Sequence, residues 1–330
     1  MNATVPETFG WYEDDTGETV TVRAATPDDY DAVAAFTADT WADRGGSDYI
    51  PDIYHDWIAD DDGETRQTFV VDVGAETPSA ELGAIVQVVT LSPYEAWGQG
   101  LRVNPDYRGR GLAKAITEAS FAFARDAGAT VLRNMIFSWN VRSLGLARDT
   151  GYDPGIEFRW VHPTPDAGAT AESDADVPVF TGDANPDAAW SFWTNSEART
   201  RLSGLVLDFE ESWAVSELTR DRLRAAADEG RLLVAGAGPT RGFAARSRTY
   251  ERESDGETET WAEYAVGAWA WRDDDAADAL LAAVARDAAA VGADRTRVLI
   301  PEGVRWVTDA ARAKADIAEE PTFVMEADLT

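Results

Sequence analysis

The stretch 103-VNPDYRGRGLAKA-115 places two glycines among three basic side chains, in a chain whose formal net charge is −31. It follows a predicted strand, 97-WGQGLRV-103, and leads into a predicted helix over about 111–127. The first backbone N–H groups of a helix have no partner inside it and lie at the positive end of its dipole. The stretch therefore predicts a site for an anion such as pyrophosphate, which glycine allows to approach the backbone and arginine can bind.

The short pattern Arg/Gln-x-x-Gly-x-Gly/Ala occurs twice, as 108-RGRGLA-113 and as 142-RSLGLA-147. A pattern of this length arises by chance in many chains, so its structural context decides. The second copy lies inside a predicted helix, where its backbone N–H groups form hydrogen bonds within the helix. The first copy follows a predicted strand and precedes a predicted helix, which is the context that anion binding needs. The P-loop sequence G-x-x-x-x-G-K-[ST] and the Rossmann sequence G-x-G-x-x-G are both absent, which excludes those two kinds of nucleotide site.

Length and composition predict a globular protein with two domains. The chain has 330 residues, whereas a single hydrophobic core usually stops growing at about 250–300 residues. Hydrophobic residues make up 45% of the chain, which is ordinary for a globular protein. It has no apolar run of membrane-spanning length, and its start, MNATVPETFGWYEDDTG, lacks the parts of a secretory signal. We therefore expect a cytoplasmic protein without a membrane partner. The lack of cysteine excludes disulfides, thiolate metal sites and a cysteine nucleophile, and two isolated histidines predict no metal site.

The acidity is spread along the chain rather than confined to a tail. Asp and Glu number 60 against 29 Lys and Arg, and Lys114 and Lys314 are the only lysines. Concentrated salt screens the repulsion within such a surface, so the composition predicts a halophilic protein. The alternative is attraction of a cationic substrate. Under either interpretation nucleic acid is not an expected partner, because phosphate binding needs a basic face.

The order of predicted elements indicates two similar halves. In the first half, strands are expected at 19–26, 67–73, 82–91, 97–103, 130–137 and 155–161, and helices at 27–42, about 49–60, about 111–127 and 139–149. In the second half, they are expected at 205–209, about 216–229, 231–238, a hairpin across 251–259, about 275–291, 296–301 and 305–315. The segment 284-VARDAAAVGADRTRVLIP-301 is similar to 123-FARDAGATVLRNMI-136, which favours a tandem repeat.

A change in composition separates the two halves. The stretch 162-HPTPDAGATAESDADVP-178 has no periodicity and is typical of a linker. We therefore predict a first domain over 1–165, a linker over 166–178 and a second domain over 179–330.

The stretch from Gln99 to Tyr152 resembles the acetyl-CoA-binding core of the GNAT N-acetyltransferase superfamily. The resemblance rests on 101-LRVNPDYRGRGLAKAI-116, the helix and the strand VLRNMI after it, and 140-NVRSLGLARDTGY-152, in which Tyr152 stands at the family's phenylalanine. It implies an α/β fold of the α+β type, with two GNAT-like domains that each hold a mixed, mostly antiparallel twisted sheet flanked by helices. It also implies an N-acetyltransferase that uses acetyl-CoA as co-substrate and no metal.

The resemblance assigns residues of this chain to the cofactor. In the family, the strand before the turn bonds the pantetheine arm, and its positions here are Leu101, Arg102 and Val103. The turn binds the pyrophosphate, and its positions here are Arg108, Gly109, Arg110, Gly111, Leu112 and Ala113. Asn140 matches an asparagine that starts a helix near the cofactor.

The second half carries 269-WAWRDDDAADALL-281 where the first half has the glycine turn. Three aspartates at a helix start suit the helix dipole, but they repel pyrophosphate. We therefore expect a degenerate second domain that binds no cofactor.

Two features depart from the family pattern. Many members carry a carboxylate base near position 99 or 100 and a tyrosine in the helix that Asn140 opens, whereas Gln99, Gly100 and Ala147 stand here. Only a neutral amine attacks a thioester, so another base or a water chain has to take its proton. We expect Glu157 to be the base, with a solvated strand glutamate as the alternative. We expect Tyr152 to be the acid, with a structural replacement of phenylalanine as the alternative.

Together these observations predict an enzyme that moves an acetyl group from acetyl-CoA to a primary amine of a small molecule or peptide. One alternative is a GNAT-like protein that binds CoA or acyl-CoA without turnover, which the departures favour. Another is a scaffold whose second domain mediates assembly, since one fold hosts many functions. The expected partners are acetyl-CoA and the amine acceptor, and a homodimer is left open.

Overall fold

The computed structural model describes residues 7–41, 46–74, 81–173, 175–254, 257–270 and 272–330. The chain forms two compact units. The first unit contains Met1–Asn134, Val141–Asp153 and Met325–Thr330, and the second contains Met135–Asn140 and Pro154–Val324. The chain therefore returns to the first unit twice, after Asn140 and again from Met325 on.

The first unit is built on a mixed sheet. Along the chain its elements are β1 (Thr8–Glu13), β2 (Thr19–Ala24), α1 (Tyr30–Thr37), α2 (Ile50–Asp60), β3 (Arg66–Val73), β4 (Leu82–Ser92), β5 (Glu95–Val103), α3 (Leu112–Asp126), β6 (Val131–Phe137) and α4 (Val141–Asp149). The strands follow the order β1-β2-β3-β4-β5-β6. Neighbours from β1 to β5 are antiparallel, and β5 and β6 are parallel.

The second unit repeats this plan. Along the chain its elements are β7 (Asp153–His162), β8 (Val179–Phe180), α5 (Pro186–Thr194), α6 (Glu197–Arg201), β9 (Leu205–Leu207), β10 (Val215–Glu217), α7 (Arg220–Asp228), β11 (Leu232–Ala235), β12 (Gly242–Ser254), β13 (Glu257–Trp269), α8 (Asp274–Ala290), β14 (Arg295–Pro301), α9 (Val304–Arg312), β15 (Asp316–Ile317) and β16 (Thr322–Asp328). Its sheet follows the order β7-β14-β13-β12-β11-β8, in which β13 and β14 are the parallel pair. Both units thus contain an antiparallel pair, a helix, a parallel strand and another helix, in that order.

Apolar side chains at helical spacing place α3 on the sheet of the first unit. Leu112, Ile116, Ala119 and Phe123 are all buried, as the spacing of four, three and four residues predicts. A second buried cluster joins α1 and α2 to β3 and β4. Consecutive residues of β3 and β4 are buried almost without interruption, because both faces of these strands are covered.

The parallel strands β5 and β6 pair over a short distance only. Their ladder ends at Trp97 and Arg133, and β5 then continues to Val103 alongside β4. A buried ion pair holds the two strands together at this point, with Arg133 Nη1 2.8 Å from Glu95 Oε1. Arg133 Nε also lies 3.3 Å from the Glu326 carboxylate, on the part of β16 that belongs to this unit. The arginine therefore connects three strands.

Several observed elements differ in length from the predicted ones. The predicted helix over 27–42 is a 3-10 turn, Pro27–Asp29, followed by α1. The helix predicted from about 216 begins at Arg220, because the preceding residues pair with β9 and Thr219 caps the helix. The elements that were not predicted are strands β1, β8, β10, β15 and β16 and helices α5 and α6.

The described residues of the predicted linker lack regular secondary structure after His162, but they contact the second unit. The Ser173 N–H, for example, donates to the Asp278 carboxylate of α8 at 2.6 Å. The two compact units also divide the chain differently from the predicted domains over 1–165 and 179–330. Almost all of β7 belongs to the second unit, and the end of β16 belongs to the first, because strand pairing rather than sequence order decides the grouping.

We predict that Arg133→Met lowers the free energy of unfolding. The substitution keeps an unbranched side chain but removes the cation that faces the buried Glu95 carboxylate, and the loss of a buried ion-pair partner typically costs about 3–5 kcal/mol. Urea unfolding followed by tryptophan fluorescence measures the change. Arg142→Met, at an exposed arginine of α4, is the control and should have little effect. Adding Glu95→Met to Arg133→Met should recover much of the loss, and equal effects of the two arginine substitutions would contradict the account.

Candidate functional site

The glycine turn joins β5 to α3. Gly109 and Gly111 both have a φ of +77°, a left-handed conformation that favours glycine. Gly111 caps α3 without a side-chain hydrogen bond. The N–H groups of Lys114 and Ala115 are the ones that donate to the Gly111 carbonyl, at 2.9 and 3.2 Å. The N–H groups of Leu112 and Ala113, the first two residues of α3, therefore point out of the helix end, where they can meet an anion.

An acidic loop between β1 and β2 holds Arg110. The guanidinium Nε lies 2.6 Å from Asp14 Oδ2, and Nη2 lies 2.6 Å from Glu18 Oε2. The Asp15 N–H donates to the Arg110 carbonyl at 3.1 Å. The Thr16 hydroxyl, with help from Arg110 and backbone donors, holds the pKa of the Asp14 carboxyl well below its usual range. Arg110 thus fastens the turn to the rest of the unit, and two carboxylates offset its charge.

The remaining surroundings of the turn are open on one side. Arg108 is exposed, and it makes no ion pair or hydrogen bond with any residue that the structure describes. A Cβ at Gly109 would have no described neighbour within 4 Å, whereas a Cβ at Gly111 would lie 3.1 Å from Asp15 Oδ1. Arg108 and Gly109 therefore border open space, while Gly111 borders a carboxylate.

A bulge interrupts β5 just before the turn. The register with β4 shifts between Gln99 and Arg102, so that two residues, Gly100 and Leu101, oppose a single residue. Gly100 has a φ of +68°, and a Cβ there would collide with the Trp57 ring. Glycine is therefore required at this position, and the bulge turns the backbone out of the regular ladder.

The side chain of Arg102 is anchored inside the first unit. Its Nε donates to Asp48 Oδ2 at 2.6 Å, and the guanidinium lies over the rings of Trp41 and Tyr49, at 5.2 and 5.5 Å from their centroids. Asp48 Oδ1 also accepts the N–H of Ile50 at 3.0 Å, so the ion pair fixes the start of α2. Any contact of Arg102 with a ligand is therefore expected from its backbone.

Tyr152 lies where β5 and β6 part. A Cβ built on Gly98 would be 3.7 Å from its hydroxyl oxygen. The ring packs on Phe121, with 5.3 Å between the centroids. Burial raises the pKa of Tyr152 above its ordinary value, so the hydroxyl stays protonated at neutral pH and can act only as a proton donor. Ala147 is buried.

A polar row, consisting of Asp61, Thr68, Gln87 and Gln99, crosses the sheet from the end of α2 to β5. Gln99 Nε2 donates to Gln87 Oε1 at 2.8 Å, and Gln87 Nε2 donates to Thr68 Oγ1 at 3.0 Å. The Thr68 N–H donates to the Asp61 carboxylate at 2.8 Å. Burial raises the pKa of Asp61, and the bonds from Thr68 oppose that rise. Sequence analysis missed this row, although a glutamine inside the apolar strand 82-LGAIVQVVTL-91 was its signal.

The structure places Glu157 and Asn140 in the second unit. Glu157 is exposed on β7, between the buried residues Ile156 and Phe158. Asn140 comes directly before α4, and its N–H donates to the Phe137 carbonyl at 2.9 Å. The other predicted site residues all belong to the first unit, namely Leu101, Arg102, Val103, Arg108, Gly109, Arg110, Gly111, Leu112, Ala113 and Tyr152.

The start of α8 in the second unit is chemically different from the start of α3. Asp273 Oδ1 accepts the Ala276 N–H at 3.1 Å, and Arg241 Nε donates to Asp273 Oδ2 at 2.7 Å. An aspartate side chain therefore occupies the helix end that Gly111 leaves uncapped in the first unit.

Two further features bear on function. Within the described ranges, no group of His, Cys, Asp and Glu is arranged to hold a metal ion. In the same part of the chain, the helices fall short of the length and apolar character needed to cross a membrane.

Comparison with known proteins gives a family and a fold. The model of the acetyltransferase (GNAT) domain family matches residues 19–153. A GCN5-related N-acetyltransferase from Sphaerobacter thermophilus superposes with a TM-score of 0.59 at 16% identity, over 94% of this chain and 96% of its own. A tandem GNAT protein from the clavulanic acid biosynthesis pathway gives 0.50 at 13% identity, over 94% and 98%. No curated protein matches the chain.

These likenesses cover both halves of the chain, so the predicted fold of two GNAT-like domains with mixed, mostly antiparallel sheets is confirmed. The family match covers the strand, the glycine turn and the helix on which the resemblance rested. Residues 19–153 therefore match the acetyltransferase (GNAT) domain family, over the part of the chain that contains the glycine turn.

Proposed function

We propose that this protein transfers an acetyl group from acetyl-CoA to a primary amine of a small molecule or a peptide. The observation that carries the proposal is the uncapped start of α3, which follows the turn of Gly109 and Gly111 inside the family-matched region. The outward N–H groups and the positive end of the helix dipole suit the pyrophosphate of the cofactor. Arg108, exposed beside the turn, adds a cation for the phosphates.

Strand β5 suits the pantetheine arm of the cofactor. Beyond the end of the parallel ladder at Trp97, β5 keeps its pairing with β4. We propose that the opposite edge, at Leu101, Arg102 and Val103, offers its backbone N–H and carbonyl groups to the amides of pantetheine. The bulge at Gly100 supports this assignment, because it turns the backbone out of the ladder immediately before these residues.

Two groups are assigned to the proton transfers. Acetyl-CoA supplies the thioester, whose carbonyl carbon the neutral amine attacks while the thiolate leaves. We propose that Glu157, an exposed carboxylate, takes the amine proton directly or through water. We propose that the Tyr152 hydroxyl, which is protonated at neutral pH, donates a hydrogen bond or its proton to the leaving thiolate. A thiol with an ordinary pKa of about 8.5 is a good leaving group, so the acid assists the departure rather than enabling it.

A second candidate function is binding of CoA or acyl-CoA without turnover. Gln99 and Ala147 favour it, because they stand where many relatives carry a base and an acid, and neither side chain can exchange a proton at neutral pH. In this alternative the turn and the start of α3 still bind the pyrophosphate of the cofactor. The second unit, whose α8 is capped by Asp273, is proposed to bind no cofactor under either function.

The composition suggests the working conditions. With 60 acidic against 29 basic residues, we propose that the protein works in concentrated salt in the cytoplasm. Assays should therefore be run at high salt concentration. Homodimer formation stays a prediction.

We predict that Gly109→Val weakens CoA binding at least about tenfold, which corresponds to about 1.4 kcal/mol. The new side chain would enter the open space beside the turn that we assign to the phosphates. Isothermal titration calorimetry in concentrated salt measures the affinity. Gly292→Val is the matched control, because Gly292 has a similar φ of +75° and equally open surroundings in the second unit. Unchanged affinity of Gly109→Val would place the pyrophosphate elsewhere.

We also predict that the wild-type protein releases free CoA from acetyl-CoA when an acceptor amine is present. A panel of benzylamine, lysine, spermidine and a tripeptide with a free N-terminus samples the main classes of amine. Turnover with at least one of them is the expected result. Tight CoA binding without release of CoA in any of these reactions would instead support the binding protein.

Substitutions of the proton-transfer groups refine this test. Glu157→Gln should keep the CoA affinity, lose at least about 10²-fold in turnover, and lose the limb of the pH profile that reports the base. Tyr152→Phe should give a smaller loss, because the thiolate leaves without full protonation. Glu319→Gln, at another exposed carboxylate of the second unit, is the control. A Glu157→Gln variant with wild-type turnover would show that Glu157 is not the base, while the proposed acetyl transfer would still hold.

A further inference from the structure

An arginine of the second unit is enclosed by aromatic rings. Arg297 lies on β14 and is only 3% exposed. Its guanidinium carbon lies 4.0 Å from the ring centroid of Trp213, 5.0 Å from that of Trp160 and 5.6 Å from that of Tyr250. Burial raises the pKa of Tyr250, so its hydroxyl stays protonated and adds no negative charge. The rings therefore attract the cation through their faces but do not neutralise it.

The charges of this cluster do not balance. Arg297 Nε donates to one carboxylate oxygen of Glu263, and Arg248 Nε donates to the other. Glu263 is fully buried, and the side chains of both arginines are mostly buried. Two guanidinium groups therefore share one carboxylate, which leaves the cluster with one positive charge in excess. A buried charge costs free energy unless an opposite charge or hydrogen bonds compensate it.

Two hydrogen-bond donors of the same cluster lack an acceptor. Arg297 Nη2 and Trp160 Nε1 are both buried, and neither forms a hydrogen bond with any residue in the described part of the chain. Arg248 differs, because its remaining nitrogens donate to backbone carbonyls within 208–211. Aromatic faces accept hydrogen bonds only weakly, and buried donors of folded proteins nearly always have an acceptor. The excess charge and the two donors together indicate an acceptor that carries a negative charge.

Trp213 is the most exposed of the three rings around Arg297. It is 37% exposed and lies in the connection between β9 and β10. Its φ of +57° is a left-handed conformation that is rare for a bulky residue. Phe137, which is grouped with the second unit, is also 37% exposed, and its ring centroid lies 6.3 Å from that of Trp213. A rotation of Trp213 toward the solvent would uncover the guanidinium beside an exposed aromatic surface.

We propose that Arg297 binds the carboxylate of a small organic acid that bears an aromatic or other apolar group, and that Trp213 turns aside to admit it. The carboxylate accepts a hydrogen bond from Arg297 Nη2 and supplies the single negative charge that the cluster lacks, whereas a phosphate would bring a second charge. The apolar group packs against Trp213 and Phe137. The site lies in the second unit, apart from the cofactor site, so the inference does not rest on the proposed acetyl transfer.

Phenylacetate and 2-phenylacetamide test the proposal, because the two compounds have the same shape and differ in charge. Their affinities for the full chain in concentrated salt are measured by a saturation-transfer NMR titration. We expect the Kd of phenylacetate to be at least about tenfold lower, as for gain of a charge-assisted hydrogen bond. Arg297→Gln should remove this difference, whereas Arg295→Gln, at an exposed arginine of the same strand, should keep it. Equal affinities of the wild type for the two compounds, or no binding of phenylacetate, would overturn the proposal.

Trp213→Ala tests the cover without a change in the buried charges, so it decides the matter even where Arg297→Gln does not fold. Acetate, which lacks the apolar group, is the reference ligand. The substitution should lower the preference for phenylacetate over acetate at least about fivefold, because part of the apolar surface is lost, and acetate should bind no more weakly than before. Trp11→Ala, at an exposed tryptophan of the first unit, is the control and should leave both affinities unchanged. An unchanged preference in Trp213→Ala would show that the ring is not part of the site and would overturn the proposal.

Discussion

The buried ion pair between Glu95 and Arg133 is the contact on which the candidate site depends. It joins β5 to β6 at the point where their parallel ladder ends, and Arg133 also reaches the last strand of the chain. Beyond this point β5 pairs with β4 and carries the bulge at Gly100, the residues assigned to pantetheine and finally the glycine turn. Tyr152 meets β5 directly after the last paired residue. The residues that we assign to pantetheine therefore lie on the part of β5 that has separated from β6, just after the charged pair.

The two units show how one side chain changes the chemistry of a shared plan. Both place a helix between a hairpin strand and a parallel strand. In the first unit Gly111 leaves the helix start uncapped, and an arginine of the turn is bound by carboxylates of a distant loop. In the second unit the capping residue is Asp273, which itself binds Arg241. The helix dipole therefore has no side-chain cap in the first unit and faces the fixed Asp273 carboxylate in the second.

Local sequence signals were sufficient for the core of the fold and for the turn. The spacing of Leu112 and its partners predicted the buried face of α3, and the context of the glycines separated the true turn from its helical copy. Contacts between distant residues were not predictable in this way. Arg110 was expected to face the phosphates, but it is bound by Asp14, 96 positions away. Strand β16 completes a unit that begins at the other end of the chain. The polar row required the register of three strands, which no single segment encodes.

A crystal structure of the full chain with CoA, grown at high salt concentration, tests the central claim most directly. The account predicts that the pyrophosphate lies against the N–H groups at the start of α3, beside Gly109 and Arg108, with pantetheine along β5. It also predicts that the start of α8, beside Asp273, stays without CoA. Pyrophosphate bound at α8, or CoA bound away from the glycine turn, would contradict the assignment of the cofactor site to the first unit.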